Sequence, residues 1–230
     1  MTPDALTRVM EATWPPALAW REGPFTFRNG AGGGKRVSAA SCDGDWAEHD
    51  LATLEGMAGP LVLIRPADLS LDAALADRGW GVVDPVVIYA APVADLLTEL
   101  PPLAAFPHWP PLAIASSLWN DGGIGPERLA VMGRVDGPKT AILARDGDHS
   151  AGVAFVASCG TEEMLHALEV RPALRRRGIG TTLLHAAAAW ANDAGAKRLS
   201  LAVTERNSAA RALYARLGMQ VVGQYHYRMK

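Results

Sequence analysis

Residues 175–190 read RRRGIGTTLLHAAAAW. Three arginines run into a Gly-x-Gly, and a Leu- and Ala-rich stretch follows. A helix is predicted from near Gly178 to Gly195, a residue type that commonly stops helices. A helix start exposes several unpaired backbone N–H groups and about half a positive charge. Gly178 and Gly180 remove the Cβ atoms that would block an approaching phosphate. Arg175, Arg176 and Arg177 add forked donors that match phosphate oxygens. The stretch therefore predicts a phosphate site, and a pyrophosphate suits its many donors. A predicted strand (162–170) and the exit Val170-Arg171-Pro172 set the loop between strand and helix.

Composition narrows what surrounds this site. The chain has 230 residues and a formal net charge of −2. That length fits one large domain or two small ones. A general nucleic-acid binder would show a basic excess, which is missing. Cys42 and Cys159 stand far apart without C-x-x-C spacing, so neither a disulfide framework nor a zinc knuckle is expected. The six histidines are scattered, and no metal site is predicted. No segment reaches the roughly 18 apolar residues of a membrane span. The opening MTPDALTRVMEATW is charged and reads as a short amphipathic helix, with Thr2 as cap and Pro3 in the first turn. A cytoplasmic, reduced setting is expected.

Strand and helix patterns alternate along the chain. In the first half, strands are predicted at 23–29, 35–42, 60–66 and 82–92, and helices at 46–57 and 69–79. Residues 100–113 hold five prolines, which break both helix and ladder, and read as a connection. The second half opens with a helical region at about 117–134. Strands follow at 139–148, 149–160 and 162–170, with Asp146-Gly147 as a hairpin turn. After the helix of the quoted stretch come a strand (197–203), a helix capped by Asn207, and a last strand (219–229). This order argues an α/β domain with a mixed sheet. A faint repeat is also present. Ala73–Trp80 followed by Val82-Val83 parallels Ala212–Met219 followed by Val221-Val222. Any helix–glycine–strand junction has this form, so duplication and coincidence both stay open.

LEVRPALRRRGIGTTLL resembles the acetyl-CoA motif of the GNAT superfamily of N-acetyltransferases, (R/Q)-x-x-G-x-(G/A). Arg175-x-x-Gly178-x-Gly180 matches it throughout. Residues 207–219, NSAARALYARLGM, resemble that family's second motif, N-x-x-A-x-x-x-Y-x-x-x-G-(F/M). The resemblance covers roughly residues 130–230. It implies the GNAT fold, a mixed and mostly antiparallel twisted sheet flanked by helices, and acetyl-CoA as co-substrate without a metal. The WPP…GPFTFRNGAGGGKRVSAAS opening resembles the first half of two-part bacterial GNAT proteins, in which a degenerate unit precedes the active one. The expected organisation is a degenerate GNAT-like domain at 1–99, the Pro-rich connection at 100–113 and the acetyltransferase domain at 114–230. Leu75 stands where the repeat would place a counterpart of Tyr214, and no arginine–glycine loop precedes it. The first half is therefore expected to have lost cofactor binding.

The resemblance also implies residue roles. The diphosphate falls on Arg175, Arg176, Arg177, Gly178, Ile179, Gly180 and Thr181. The backbones of Leu168, Glu169 and Val170 lie on a strand that splays from its neighbour, so their free amides pair with the pantetheine arm and polarise the thioester carbonyl. Asn207 and Ala210 belong near that arm, although Asn207 would serve equally as a helix cap. Tyr214 takes the family's acid position, or only positions the sulfur. Deprotonating the acceptor amine needs a base, since a lysine-like amine has a pKa of about 10.4. Some members place a glutamate where this chain has Ala202. Glu169 is the substitute expected here, with Glu162, Glu163 and His166 further up the same strand.

The implied function is direct acetyl transfer from acetyl-CoA to a primary amine. The acceptor is an amine-bearing small molecule or protein, with homodimerisation left open. A non-catalytic acetyl-CoA sensor is the competing reading, favoured by Ala202. The slight net acidity of the chain suits a cationic acceptor. NGAGGGKR (29–36) fails as a P-loop, because Asn29 holds the first glycine position and Arg36 replaces the Mg²⁺-binding hydroxyl. It reads as a glycine-rich hairpin turn. His185 and the alanines at 186–189 read as helix–sheet packing, and Trp109 and Trp119 as core by default.

Overall fold

The computed structural model describes residues 2–56 and 61–230. The first helix, α1 (Pro3–Thr13), has the predicted cap: Thr2 Oγ1 accepts from Ala5 N at 3.3 Å, and Pro3 opens the first turn. Three short strands follow, β1 (Leu18–Glu22), β2 (Phe25–Asn29) and β3 (Ser41–Cys42), in an antiparallel sheet of that order. Then come α2 (Glu48–Gly56), β4 (Leu61–Ile64), α3 (Leu69–Asp77) and β5 (Gly81–Pro92). Met57 and Pro60, at the ends of the predicted helix 46–57 and strand 60–66, lie outside the described residues.

The strand expected at 35–42 survives only at Ser41–Cys42, because Lys35–Val37 form a 3-10 turn. A Cβ on Gly30 would lie 2.5 Å from Val37 Cγ2, and one on Gly33 would collide with Val131. The glycine-rich loop is thus folded down against the body of the protein. It joins the antiparallel strands β2 and β3 as a hairpin connection does, but through a long folded loop in place of a turn.

The second half supplies α4 (Ala113–Asp121), α5 (Pro126–Arg134), β7 (Lys139–Asp146), β8 (His149–Cys159) and β9 (Glu162–Val170). It ends with α6 (Ile179–Asp193), β10 (Arg198–Thr204), α7 (Ser208–Arg216) and β11 (Gln220–Met229). The Pro-rich connection itself contains a strand, β6 (Ala105–His108), paired with β7 at the sheet edge. An edge strand tolerates Pro107 because only one side of it needs ladder hydrogen bonds.

Eight strands form the main sheet in the order β4-β11-β5-β10-β9-β8-β7-β6. All pairs are antiparallel except β9 with β10. This is the expected mixed, mostly antiparallel sheet. α6 packs on one face over Ile142, Val156, Leu165 and Leu201. Its Ala187, Ala188 and Ala191 are fully buried, so the small side chains let the helix approach the sheet. The other face carries Trp119, Met132, Val153 and Phe155 in one cluster, and Leu6, Val9 and Met10 of α1 in another. A further core of Phe25, Leu51, Leu54, Leu71, Leu75 and Trp80 lies beneath α2 and α3.

The two halves interlock in this sheet. β11 sits between β4 and β5, and β5 sits between β11 and β10. The faint repeat has a matching geometry at an offset of 139 residues. Trp80 N bonds to Leu75 O at 3.0 Å, and Met219 N bonds to Tyr214 O at 3.1 Å. Gly79 and Gly218, both left-handed at φ +82° and +80°, end the two helices. The offset also carries the strand pairs into each other. Ile64↔His226 corresponds to Val203↔Val87, and Gly81↔Met229 to Gln220↔Ala90. β4-α3-β5 and β10-α7-β11 are therefore related by a local two-fold axis running between β5 and β11.

Candidate active site

The parallel pairing of β9 with β10 runs from Glu162↔Arg198 to Leu165↔Leu201. Both strands continue past it, to Val170 and Thr204. β9 is diverted by a bulge: Ala167 has a left-handed φ of +51°, and the register against β8 shifts between Val153 and Phe155. Trp119 Nε1 donates to Ala167 O at 2.7 Å and pins the bulged peptide. Beyond the bulge β9 still pairs with β8, through Val153↔Glu169 and Gly152↔Val170, but not with β10. Leu168, Glu169 and Val170 thus edge an open gap. Trp119 is fully buried, as a core tryptophan should be, but the core reading missed its bond to Ala167. Trp119→Phe should lower stability by about 1–2 kcal/mol, the cost of an orphaned carbonyl. It should lower kcat about 10-fold by freeing the bulge. Thermal melting and steady-state kinetics check both, and unchanged kcat would remove Trp119 from any positioning role.

Past Val170 the chain makes a 3-10 turn (Pro172–Leu174) and then the arginine loop. Arg176 and Gly178 both have positive φ, +67° and +86°, which swings the loop across the start of α6. Gly178 holds the cap position with no side-chain hydrogen bond, so the first amides of α6 keep no intrahelical acceptor. A Cβ on Gly180 would sit 3.0 Å from Leu213 Cδ2, and the glycine lets α6 and α7 close together. The three arginines separate. Arg175 donates to Val170 O at 3.1 Å and to Glu169 Oε1 at 3.0 Å. Arg176 is exposed on the cleft. Arg177 turns away to Asp146 of the β7–β8 hairpin, at 2.9 Å, and does not line the cleft.

One cleft of about 540 Å³ collects the rest. Leu168, Glu169 and Val170 form one wall; Arg175, Arg176 and the Gly178–Thr181 helix start form its floor; Asn207, Ala210 and Tyr214 close it from α7. Asn207 Oδ1 accepts from Ala210 N at 3.1 Å, so it does cap α7. Tyr214 is 5% exposed, with its ring 5.7 Å from Tyr89. Burial pushes its phenol up to about 12.

Residues 107–219 match the family described as Acetyltransferase (GNAT) family. These residues form a domain of the GNAT acetyltransferase family. Over 242 aligned residues it is 25% identical to YobR, an uncharacterised N-acetyltransferase of Bacillus subtilis, covering 98% of this chain and 97% of that one. A stretch of 105 residues is 32% identical to the streptothricin acetyltransferase of Streptomyces lavendulae, covering 45% and 56% of the two chains. The GCN5-related N-acetyltransferase from Kribbella flavida superposes with a TM-score of 0.70 at 15% identity, covering 98% of this chain and 94% of that one. A tandem GNAT protein from the clavulanic acid biosynthesis pathway superposes at 0.64 and 13% identity, covering 97% and 87%. At these identities the solved structures speak for the GNAT fold alone.

The carboxylates of this GNAT sheet differ in their partners. Glu169 lies in the cleft, ion-paired to Arg175. Glu162 meets Arg198 at 3.6 Å. Glu163 is buried, and among the described residues Ser158 Oγ is its one side-chain partner and Oε2 is unbonded. Burial pushes its carboxyl up to about 7. The folded state therefore binds this proton more tightly than the unfolded chain. The resulting stability is full below the unfolded pKa, near 4.5, and is lost as pH rises through about 7. Glu163→Gln should melt a few degrees above the parent at pH 8.5 and level with it at pH 4. Equal melting at both pH values would show that Glu163 does not titrate in this range.

His166 lies elsewhere in the GNAT domain, on the far side of the bulge from the cleft. Its Nε2 is 2.9 Å from Thr13 Oγ1 and its Nδ1 is 3.2 Å from Arg36 Nη1. A second pocket, of about 340 Å³, opens there, and Ala202 lines it. Ala167 lines this pocket and Leu168 the cleft, so the two meet at the bulge. The glycine-rich loop brings Gly33, Gly34, Lys35 and Arg36 to its wall, a role the sequence reading missed. His185 is structural, its Nδ1 lying 2.7 Å from Leu96 O. Among the described residues, no cluster of three or more His, Cys, Asp or Glu is arranged to hold a metal, and no helix is long and apolar enough to cross a membrane.

Proposed function

We propose that this acetyltransferase moves an acetyl group from acetyl-CoA directly onto a primary amine. The observation that carries the reading is the single cleft joining the α6 start, the open edge of β9 and Tyr214. Acetyl-CoA would supply the activated acetyl thioester. Arg175, Arg176 and the amides of Ile179, Gly180 and Thr181 would hold its diphosphate. The Leu168–Val170 backbone would pair with the pantetheine arm and polarise the thioester carbonyl. Asn207 and Ala210 would border that arm. Tyr214 keeps its proton at neutral pH and can give it to the departing sulfur. Arg177 is the weakest member of the proposed phosphate set, because Asp146 already engages it.

Glu169 is the proposed base. Laying the Nη2 side of the Arg175 fork on the diphosphate would turn that nitrogen away from Glu169. Engaging the diphosphate would free the carboxylate to accept the amine's proton. The amine would reach the thioester from the second pocket, on the other side of the bulge. The reaction belongs to a cytoplasmic, reduced setting on this reading, where Cys42 and Cys159 would stay as thiols. The first half reads as a degenerate repeat. Asp43 and Asp45 precede α2, and Glu48 and Asp50 stand in its first turn, so this helix start carries carboxylates that repel phosphate. Thiol release from acetyl-CoA, assayed with and without a panel of primary amines, tests the reading. Tight acetyl-CoA binding without amine-dependent release would replace it with a sensor.

A further inference from the structure

We propose that the acceptor amine carries an anionic group, carboxylate or phosphate, that docks on Arg36 in the second pocket. The inference rests on the transfer reading for the word acceptor, but the anion site stands on its own geometry. The pocket wall holds four cations, Lys35, Arg36, Arg128 and Arg206, against one carboxylate, Asp84. Lys35 and Arg206 share that carboxylate, at 2.8 and 3.5 Å. Among the described residues, neither Arg36 nor Arg128 makes an ion pair. The local charge is thus opposite to the chain's slight net acidity, which had pointed to a cationic acceptor.

Arg36 is held by neutral groups alone. Its Nε donates to Tyr225 Oη at 3.3 Å and its Nη1 to His166 Nδ1 at 3.2 Å. A guanidinium only donates, so Nδ1 must accept and the imidazole proton sits on Nε2. That N–H points to Thr13 Oγ1 at 2.9 Å, and Thr13 donates onward to Val9 O at 2.6 Å. Burial and the Arg36 charge hold His166 well below the usual imidazole range, so it stays neutral. The relay spends His166 on aiming Arg36, which removes it from the set of candidate bases. A partly buried guanidinium with no counter-ion is costly to keep. Among the described residues its Nη2 makes no hydrogen bond, and the side chain lines the pocket, so one side of the fork is left to fit a carboxylate or phosphate. The glycine-rich loop is folded down by Gly30 and Gly33, and that close packing fixes where Arg36 enters the pocket.

The test compares matched acceptors: L-amino acids against their carboxamides, and O-phosphoethanolamine against ethanolamine. At least one anionic member should exceed its neutral partner in kcat/KM by about 10-fold or more. Arg36→Met should erase that preference, and Arg36→Lys should retain part of it. Should the Arg36 variants fail to fold, Arg128→Gln on the exposed rim should cut the preference about 3-fold without moving Tm. Equal or reversed preference in the parent enzyme overturns the proposal and leaves amine acetylation intact. Where no amine is acetylated, calorimetry with CoA present compares N-acetyl amino acids with N-acetyl amino-acid amides, and N-acetyl-O-phosphoethanolamine with N-acetylethanolamine. Tighter binding of either anion would then uphold the anion site while the transfer reading fell. Equal binding, or none, would overturn the site as well.

Discussion

Replacing Arg175 and Arg176 together by alanine is expected to raise the Kd for acetyl-CoA by at least about 100-fold. A hydrogen bond to a charged group contributes roughly 1.5–3 kcal/mol, and 100-fold corresponds to about 2.7 kcal/mol. Two guanidinium forks at a helix start can supply that without invoking the amides, which the substitution leaves in place. The fold should not suffer. Arg175 is 56% exposed, and its ion pair with Glu169 is of the exposed kind that contributes little to stability. The informative control is Arg177→Ala. As sequence, the three arginines are alike candidates for the diphosphate, although the motif specifies Arg175 alone, and Arg177 is engaged by Asp146 outside the cleft. Its replacement should change Kd by less than about 3-fold. Isothermal titration at low and moderate salt reads both, and the parent's affinity should fall as salt screens the arginines. An unchanged Kd in the double variant would remove the diphosphate from this loop. Equal losses from Arg175 and Arg177 would show that the loop rearranges around its ligand.

What the sequence disclosed and what it hid divide along a physical line. Features set by neighbours in the chain were legible. Thr2 and Asn207 cap helices because an oxygen on a short side chain reaches an amide three residues on. Gly195 and Gly218 end helices because their left-handed φ costs glycine little. Two edge strands were not legible, although β4, at the other edge of the main sheet, was. β1 is exposed along its whole length and β6 contains a proline, so neither shows an alternation of buried and exposed positions. The expected strand at 35–42 failed for another reason: its pattern of apolar residues is compatible with a turn once Arg36 is drawn inward. Partnerships across the chain were invisible, since nothing local joins Arg36 to His166, 130 residues away, or Trp119 to Ala167. The repeat lies between these cases. Its helix–glycine–strand signal was short, but the pairing register extends it through β4 and β10, where the two sequences share little.

Tyr214→Phe is expected to lower kcat by about 100-fold or more, the usual contribution of a positioned acid. Kd for acetyl-CoA should stay within about 2-fold, because the ring that lines the cleft remains. The repeat explains why this variant should fold. Leu75 holds the matching place 139 residues earlier, fully buried, and packs there without any hydroxyl. Among the described residues Tyr214 Oη likewise makes no side-chain hydrogen bond, and its ring lies in the main core. Losing the oxygen therefore orphans no partner, and Tm should hardly move. The pH dependence adds a second reading. Burial pushes the phenol up to about 12, so the proton stays on Tyr214 through pH 8–10. No fall in rate at pH 8–10 is then attributable to Tyr214, and the variant's profile should keep the parent's shape at a lower height. A parent profile that falls near pH 9, with the fall missing in the variant, would mean that the phenol ionises there and that its environment is wetter than its burial implies. Full kcat in the variant would leave Tyr214 as packing alone. A loss confined to kcat, with Tm and Kd unmoved, places the catalytic effect of Tyr214 on one oxygen atom.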